Sequence, residues 1–229
     1  MIDRIEYKYY VPAWMIPAII ADLEKFCIHD EHATREDHAY RVASVYFDDM
    51  GMRAYHQKLS GLPHRTKVRV RFYPDCGSDA CFLEFKHKVA DRIRKRKTRV
   101  DGIEDVLDAV QGGTKDWLLE NVHALARHSG LKPIVRIDYD RIAMASKTDS
   151  QVRITLDTAI RCARVDNELR ETPRIPVTPE DVGILEIKSP SYIPFFASMI
   201  IGKYRLQRRA ISKYGNAIQN LSLNSAFTF

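Results

Sequence analysis

The chain has 229 residues, of which 45% are hydrophobic and 29% charged, with a formal net charge of +6. The length suits one domain, 1–229, and the balance is that of an ordinary soluble globular chain, which excludes low-complexity disorder. The basic excess permits acidic partners without choosing among nucleic acid, nucleotides and membranes. No apolar run approaches the ~20 residues of a spanning helix, so work at a membrane would need a partner to bring the chain there.

In chain order, Ile2 to Val11 alternates as a strand that ends at Pro12. No leader is expected before it, because Met1-Ile2-Asp3-Arg4 runs straight into the charged alternation. Ala13 to Phe26 has apolar residues at three- and four-residue steps, the period of a helix, with Pro17 near its first turn. His29 to Asp37 is a polar loop, Arg41 to Asp48 a Val/Tyr-rich strand, and Met50 to Ser60 a short helical stretch. Three strands follow in close succession, His64–Tyr73, Ala80–Val89 and Ile93–Val100. Their short Pro/Asp/Gly-bearing links make them antiparallel neighbours. Helical spacing returns over Ile103–Val110 and Lys115–His128, separated by Gly112-Gly113 and closed at Gly130. Strands resume at Pro133–Ala145, Gln151–Arg164 and, after a polar proline-bearing stretch, Val182–Ser189. Two helices end the chain, near Phe195–Arg205 and Ser212–Leu221. The expected class is mainly β (α+β), antiparallel, with flanking and C-terminal helices. Cys27, Cys76, Cys81 and Cys162 form no C-x-x-C pair and are expected to be reduced thiols in a cytoplasmic protein.

Residues i and i+2 of a strand share a face. The strings Leu83-Glu84-Phe85-Lys86 and Leu185-Glu186-Ile187-Lys188 therefore present an acid beside a base on one face and apolar residues on the other. Arg4/Glu6/Lys8, Lys67/Arg69/Arg71 and Arg153/Thr155/Asp157 repeat the theme. A half-buried sheet with its charges in water gives the same alternation. Two features weigh the other way. Lys67, Arg69 and Arg71 stack with no acid among them, which on a solvated face gains nothing. Arg94 and Arg96 lie on one parity of their strand, and Lys95, Lys97 and Arg99 on the other. Helices wrapped over the apolar faces would leave a polar lumen, and cations lining it would need a counter-charge such as a phosphate chain.

Six strings in order carry a resemblance. They are Arg4-Ile5-Glu6-Tyr7-Lys8-Tyr9, Val68-Arg69-Val70-Arg71-Phe72-Tyr73, Leu83-Glu84-Phe85-Lys86, Val152-Arg153-Ile154-Thr155-Leu156-Asp157, Leu185-Glu186-Ile187-Lys188 and Ser212-Lys213-Tyr214-Gly215. From Arg4 to about Asn220 the chain resembles the catalytic domain of the vacuolar transporter chaperone (VTC) proteins, polyphosphate polymerases of the triphosphate tunnel metalloenzyme superfamily. The resemblance implies a closed eight-stranded antiparallel tunnel barrel. It also implies transfer of the ATP γ-phosphate to a growing polyphosphate, with release of ADP and a divalent metal, Mn²⁺ or Mg²⁺. By the same resemblance Arg69, Arg71, Lys86, Arg153 and Lys188 are the catalytic cations, and Lys8, Lys97, Arg141 and Lys213 bind phosphate. Glu186 would hold the metal, supported by Glu84 or Glu6. Glu84 has a plain alternative as the ion-pair partner of Lys86 or of a neighbouring arginine. Arg141 is out of step with Arg136 and Asp138, so either a bulge re-aims it or Arg136 is the inward residue.

One departure bears on the reaction. Hydrolytic relatives begin Glu-x-Glu-x-Lys, and here Arg4 stands in the first position, which fits the polymerase branch. By its length the chain is expected to be a stand-alone member, without the membrane segment of the eukaryotic proteins. ATP and inorganic polyphosphate are the expected partners, and no nucleic acid is expected, because no recognition helix or RNP-like string occurs. A tri- or polyphosphate hydrolase and a non-catalytic polyphosphate- or nucleotide-binding module are the alternatives.

Overall fold

The computed structural model describes residues 4–31, 33, 35–76, 81–90, 92–111, 122, 124, 127–190 and 192–225. In chain order the elements begin β1 (Ile5–Pro12), α1 (Ile16–Glu24), β2 (Cys27–His29), β3 (Ala39–Asp48), α2 (Arg53–Leu59), β4 (His64–Phe72), β5 (Cys81–Val89), β6 (Arg92–Val100) and α3 (Ile103–Gln111). They continue as β7 (Lys132–Ser146), β8 (Arg153–Arg164), β9 (Ile175–Pro176), β10 (Val182–Ser189), α4 (Phe195–Lys203) and α5 (Lys213–Ser225). The alternating segments all form strands. β2 and β9 have three and two residues, too few for alternation to show. The expected helix Lys115–His128 falls mostly outside the described residues.

All pairings are antiparallel, in the order β1-β10-β8-β7-β3-β4-β5-β6, with β2 added to β7 and β9 to β8. In β1, β4, β5, β10 and the first half of β8 the apolar face lies outside, whereas in β7 and the second half of β8 it lies inside, against the last helix. Val68, Val70, Leu83 and Phe85 pack under α3 through Ile103 and Val106. Tyr7, Tyr9, Ile154, Leu156, Leu185 and Ile187 pack under Ile19 and Leu23 of α1 and Ala197 and Ile200 of α4. Each such large side chain contributes about 1.5–3 kcal/mol on burial, so the helices hold the ionic faces turned to the concave side.

α5 fills one end of the concavity, its Tyr214, Ala217, Ile218 and Leu221 lying against Tyr46, Val135, Ile137, Ile160 and Cys162. The string Ser212-Lys213-Tyr214-Gly215 divides the docking labour. Ser212 Oγ accepts the Gly215 N–H at 3.1 Å and caps the helix. Lys213 donates to Asp157, and the Tyr214 hydroxyl donates to Asp48 at 2.5 Å. At Gly215 a Cβ would meet the Lys58 side chain at 3.2 Å, so the glycine lets α2 approach.

The sheet is not closed by hydrogen bonds: among the described residues its path ends at β1 on one side and β6 on the other. The expected closed barrel is therefore not formed by the described hydrogen-bond ladder. Lys86 Nζ of β5 reaches Glu6 Oε1 of β1 at 2.6 Å. The segment after α4 runs along the outer edge of β1, with Arg208 bridged to Tyr9 and the Arg209 N–H donating to the Lys8 carbonyl at 2.9 Å.

Candidate functional site

On the concave side, cross-strand register lays β4, β5 and β6 into three rows: Lys67, Lys86 and Lys95; then Arg69, Glu84 and Lys97; then Arg71, Phe82 and Arg99. Glu84 is the one carboxylate among these nine positions. Like charges directly opposite one another destabilise a sheet, so the face requires counter-charge from elsewhere. Part of it is internal. Glu84 is 2% exposed and accepts from Arg69 Nε at 2.7 Å and from Lys95. Its carboxyl, which burial would raise, is held below the usual carboxylate range by Arg69, Arg71 and Lys95. Glu84 therefore takes the ion-pair alternative, with Arg69 and Lys95 as partners rather than Lys86.

Glu6 and Lys8 on β1 face Lys188 and Glu186 on β10 in direct register. Lys8 Nζ lies 3.5 Å from Glu6 and 3.8 Å from Glu186, and Lys188 Nζ lies 3.6 Å from Glu186. Burial would raise Glu186, but Lys188, Lys8, Lys86 and Lys213 hold it well below its ordinary range. Burial brings Lys188 down to about 8 against the pull of Glu186. Beside them the Thr155 hydroxyl, directly across from Glu186 on β8, is buried without a hydrogen-bond partner among the described residues.

Asp157 anchors the floor. It is fully buried, accepts from Arg141 Nε and Nη2 at 2.7 and 2.8 Å, and accepts from Lys213 Nζ at 2.5 Å. The Arg136 question is settled by parity. Val135, Ile137, Tyr139 and Arg141 share the concave face, while Arg136 bonds Asp138 and Glu171 on the other side. The irregularity belongs to β8, where Ala159 has φ 48° and the register with β7 shifts between Asp138 and Asp140. That shift brings Asp157 and Thr155 inward, in line with Ile160 and Cys162.

Among the described residues, the inward-facing Arg71 and Lys67 have no carboxylate hydrogen-bonded or ion-paired to them. Arg71 is 6% exposed, and its hydrogen-bond partners among the described residues are the Tyr139 hydroxyl at 3.1 Å and Ser44 Oγ at 3.5 Å. Lys67 donates to Ser212 Oγ at 2.9 Å and lies over the Tyr214 ring at 5.4 Å. Burial, with Lys8, Lys86, Arg65 and Arg69 nearby, holds Lys67 well below the usual lysine value. The concavity thus gathers Lys8, Arg69, Arg71, Lys86, Arg141, Lys188 and Lys213 of the expected set. Arg153 and Lys97 sit at its margin. Arg153 is 47% exposed and pairs with Asp30 at 3.0 Å, and the exposed Lys97 lies over the Phe82 ring at 4.7 Å. Sequence reasoning left out Lys67, although it continues the Arg69/Arg71 stripe, and Lys95, which the register sets opposite Lys86. The tyrosines Tyr46 and Tyr139, which position Arg69 and Arg71, gave no sign in the sequence.

The described residues contain no cluster of three or more potential metal-ligating side chains. A magnesium-type ion needs only one or two carboxylates when phosphate oxygens complete its shell. Glu6 and Glu186, flanking Lys8 beside the unpartnered Thr155 hydroxyl, fit that requirement. Glu84 is paired with Arg69 and Lys95, as Glu6 is with Lys86 and Lys8.

Comparison with known proteins gives a family and a fold. The family model for the VTC domain matches residues 3–222. The vacuolar transporter chaperone complex subunit 4 of Trypanosoma cruzi is 24% identical over an alignment covering 98% of this chain and 35% of that protein. The Schizosaccharomyces pombe subunit 4 is 24% identical, covering 69% of this chain and 26% of that protein. The chain thus spans about a third or less of the length of these relatives. Among solved structures, a Bacillus halodurans protein described as a candidate adenylate cyclase superposes with a TM-score of 0.55 at 13% identity, covering 91% of this chain and 93% of that one. A Hippeastrum candidate adenylyl cyclase with a dominant triphosphatase activity superposes with a TM-score of 0.51 at 10% identity, covering 96% of each chain. These two likenesses establish a shared fold. The family match rests on the sequence itself, and by it the chain belongs to the VTC domain family.

Proposed function

We propose that the concavity is a phosphate channel and that the chain, acting as one domain, is a metal-dependent polyphosphate polymerase. It would transfer the ATP γ-phosphoryl group to the terminal oxygen of a polyphosphate and release ADP. The observation that carries this reading is Arg71, a buried guanidinium whose bonded partners among the described residues are neutral hydroxyls. A buried cation without a counter-charge is costly unless a ligand supplies one, and a planar guanidinium matches two phosphate oxygens.

Phosphoryl transfer asks the protein for in-line positioning and for stabilisation of charge on the moving group. Arg71, Arg69 and Lys67 lie on one wall, and Lys8 and Lys188 on the other. Together they offset the repulsion between two polyanions, and exclusion of water strengthens each contact. Tyr46 and Tyr139 fix the two arginines before substrate arrives. Asp157 holds Arg141 and Lys213 in place from below. A divalent cation, Mn²⁺ or Mg²⁺, held by Glu186 and Glu6 would neutralise phosphate charge when bound. The relatives named as complex subunits extend the proposal to assembly with other chains, through which any membrane contact would come.

A hydrolase would share every one of these contacts. The polymerase is favoured by Arg4, which stands where hydrolytic relatives place their first carboxylate. The test is to incubate the protein with ATP and Mn²⁺ or Mg²⁺ and to stain a gel for polyphosphate. Long chains accompanied by ADP are expected. Inorganic phosphate from tripolyphosphate without chain growth would select the hydrolase, and tight binding without product the binding module. Arg71→Ala is expected to lower kcat/KM by about 10²–10³, the cost of one preorganised charge contact.

A further inference from the structure

The nine concave positions of β4, β5 and β6 all carry charge except Phe82, which stands in register between Arg71 and Arg99. A phosphate chain gains nothing from an apolar ring. The core under α3 does not need it either, because that core is made by Val68, Val70, Leu83 and Phe85 on the opposite parity. Phe82 has aromatic company. The Tyr73 ring, just past β4, meets it edge-on with 6.2 Å between centroids, and Tyr40 of β3 lies 6.2 Å beyond Tyr73 at a tilt of 47°. These are ordinary spacings for paired aromatic rings. Tyr40 is buried, and Tyr73 and Phe82 are half-buried, so the three rings run from the core toward the channel wall. The exposed Lys97 holds its ammonium over Phe82 at 4.7 Å, a cation–π contact of the weak, exposed kind.

Phe82 lies at the end of this wall away from the closing helix. α5 packs against Tyr46, Val135 and Cys162 at the other end, where Lys67 donates to its cap, Ser212. Alternate residues of a strand are ~6.7 Å apart. Arg71, Arg69 and Lys67 therefore descend from the aromatic row toward α5 in steps of that length, with Arg71 directly opposite Phe82. Both substrates of the proposed reaction are phosphate chains, and ATP differs in ending in a nucleoside. An aromatic ring at the mouth, followed inward by cations, presents apolar surface and charge in the order in which ATP carries its base and its phosphates.

We propose that Phe82, with Tyr73 behind it, is a nucleobase platform at the channel mouth, on which the base of the nucleotide stacks. The platform rests on the reading of the channel as a phosphate site and adds the contact that tells a nucleotide from a bare phosphate chain. A base stacks on an aromatic face more strongly than an exposed ammonium does. The base therefore displaces Lys97 from the ring and frees its ammonium for the nearest phosphate. Every base has a π-face, so the platform separates nucleotide from polyphosphate more sharply than one base from another.

The test measures, by calorimetry at fixed salt and fixed Mg²⁺, the affinities of wild type, Phe82→Leu and Phe82→Tyr for ATP and for tripolyphosphate. Leucine keeps an apolar side chain and removes the ring, and tyrosine keeps the ring. Phe82→Leu is expected to weaken ATP relative to tripolyphosphate by at least about fivefold, the lower end for one base–aromatic stack. Phe82→Tyr should hold that ratio within about twofold of wild type. An unchanged ratio in Phe82→Leu overturns the platform. Equal loss of both ligands, partial or complete, assigns the ring to packing and overturns it too. A selective ATP loss as large in Phe82→Tyr as in Phe82→Leu shows that ATP does not use the ring, with the same consequence. A wild type that binds tripolyphosphate but not ATP overturns the platform and leaves the channel standing. Failure of wild type to bind tripolyphosphate removes the channel reading, and the platform with it.

Discussion

Lys67 shows how a residue can be poor for the fold and suited to a ligand. It stands in a row of three directly opposed lysines and donates to Ser212, the cap of the closing helix. Glu6 offsets Lys86 and Glu84 offsets Lys95, and no carboxylate bonds Lys67 among the described residues. Replacing it with an apolar side chain of similar length removes a buried like-charge repulsion, and such exchanges are often neutral or stabilising. Lys67→Met is therefore expected to raise the melting temperature of the unliganded protein, by about 2–4 °C for each ~1 kcal/mol relieved. It should at the same time weaken tripolyphosphate binding. A thermal melt paired with a titration checks both, and a lower melting temperature with unchanged affinity would assign Lys67 a structural role. Arg71 was legible in the sequence because it sits in an acid-free stripe. Its fixing by Tyr139 was not, because that contact joins positions 68 residues apart.

At the scale of elements, the strands were readable from alternation because each has one face packed under a helix. The resemblance supplied the closed barrel, and the hydrogen-bond ladder stops short of it at β1 and β6. Nothing local in a strand's pattern says whether its edge finds a partner. The parity of β7 was likewise ambiguous, since the extra residue at Ala159 lies in its neighbour β8. α5 was readable as a helix, but its place as a plug depends on Asp48, whose carboxylate accepts the N–H groups of Asp49, Ala54 and Tyr55 as well as the Tyr214 hydroxyl. A hydrogen bond to a charged group contributes about 1.5–3 kcal/mol. Tyr214→Phe is expected to lower the melting temperature by about 3–12 °C while leaving the strands folded. A melt within one degree of wild type would show that packing alone seats the helix.

For the molecule as a whole, two lysines of the concavity, Lys67 and Lys95, are held at a disadvantage as cations, while neighbouring carboxylates outweigh the cost of burial for Lys8, Arg69 and Arg141 and hold them above their ordinary values. Burial, together with neighbouring cations, depresses Lys67, and burial brings Lys95 down to about 7 against the pull of Glu84. A lysine lowered on folding binds fewer protons than in the unfolded chain, so its penalty is present at low pH. That penalty is relieved as pH rises through the lowered value toward the ordinary lysine range. An anion entering the channel favours the charged form and restores the proton. Binding of tripolyphosphate near pH 8 should therefore take up protons, seen as a dependence of the calorimetric heat on the buffer's ionisation enthalpy. Proton release would reverse the inferred balance of charge. The most direct measurement is a crystal structure with tripolyphosphate bound. Phosphate oxygens within about 3 Å of the Arg71 guanidinium and the Lys67 ammonium, on the concave side of the sheet, are predicted. Tripolyphosphate bound only to outward-facing residues, with Arg71 still held by Tyr139 and Ser44 alone, would contradict the account.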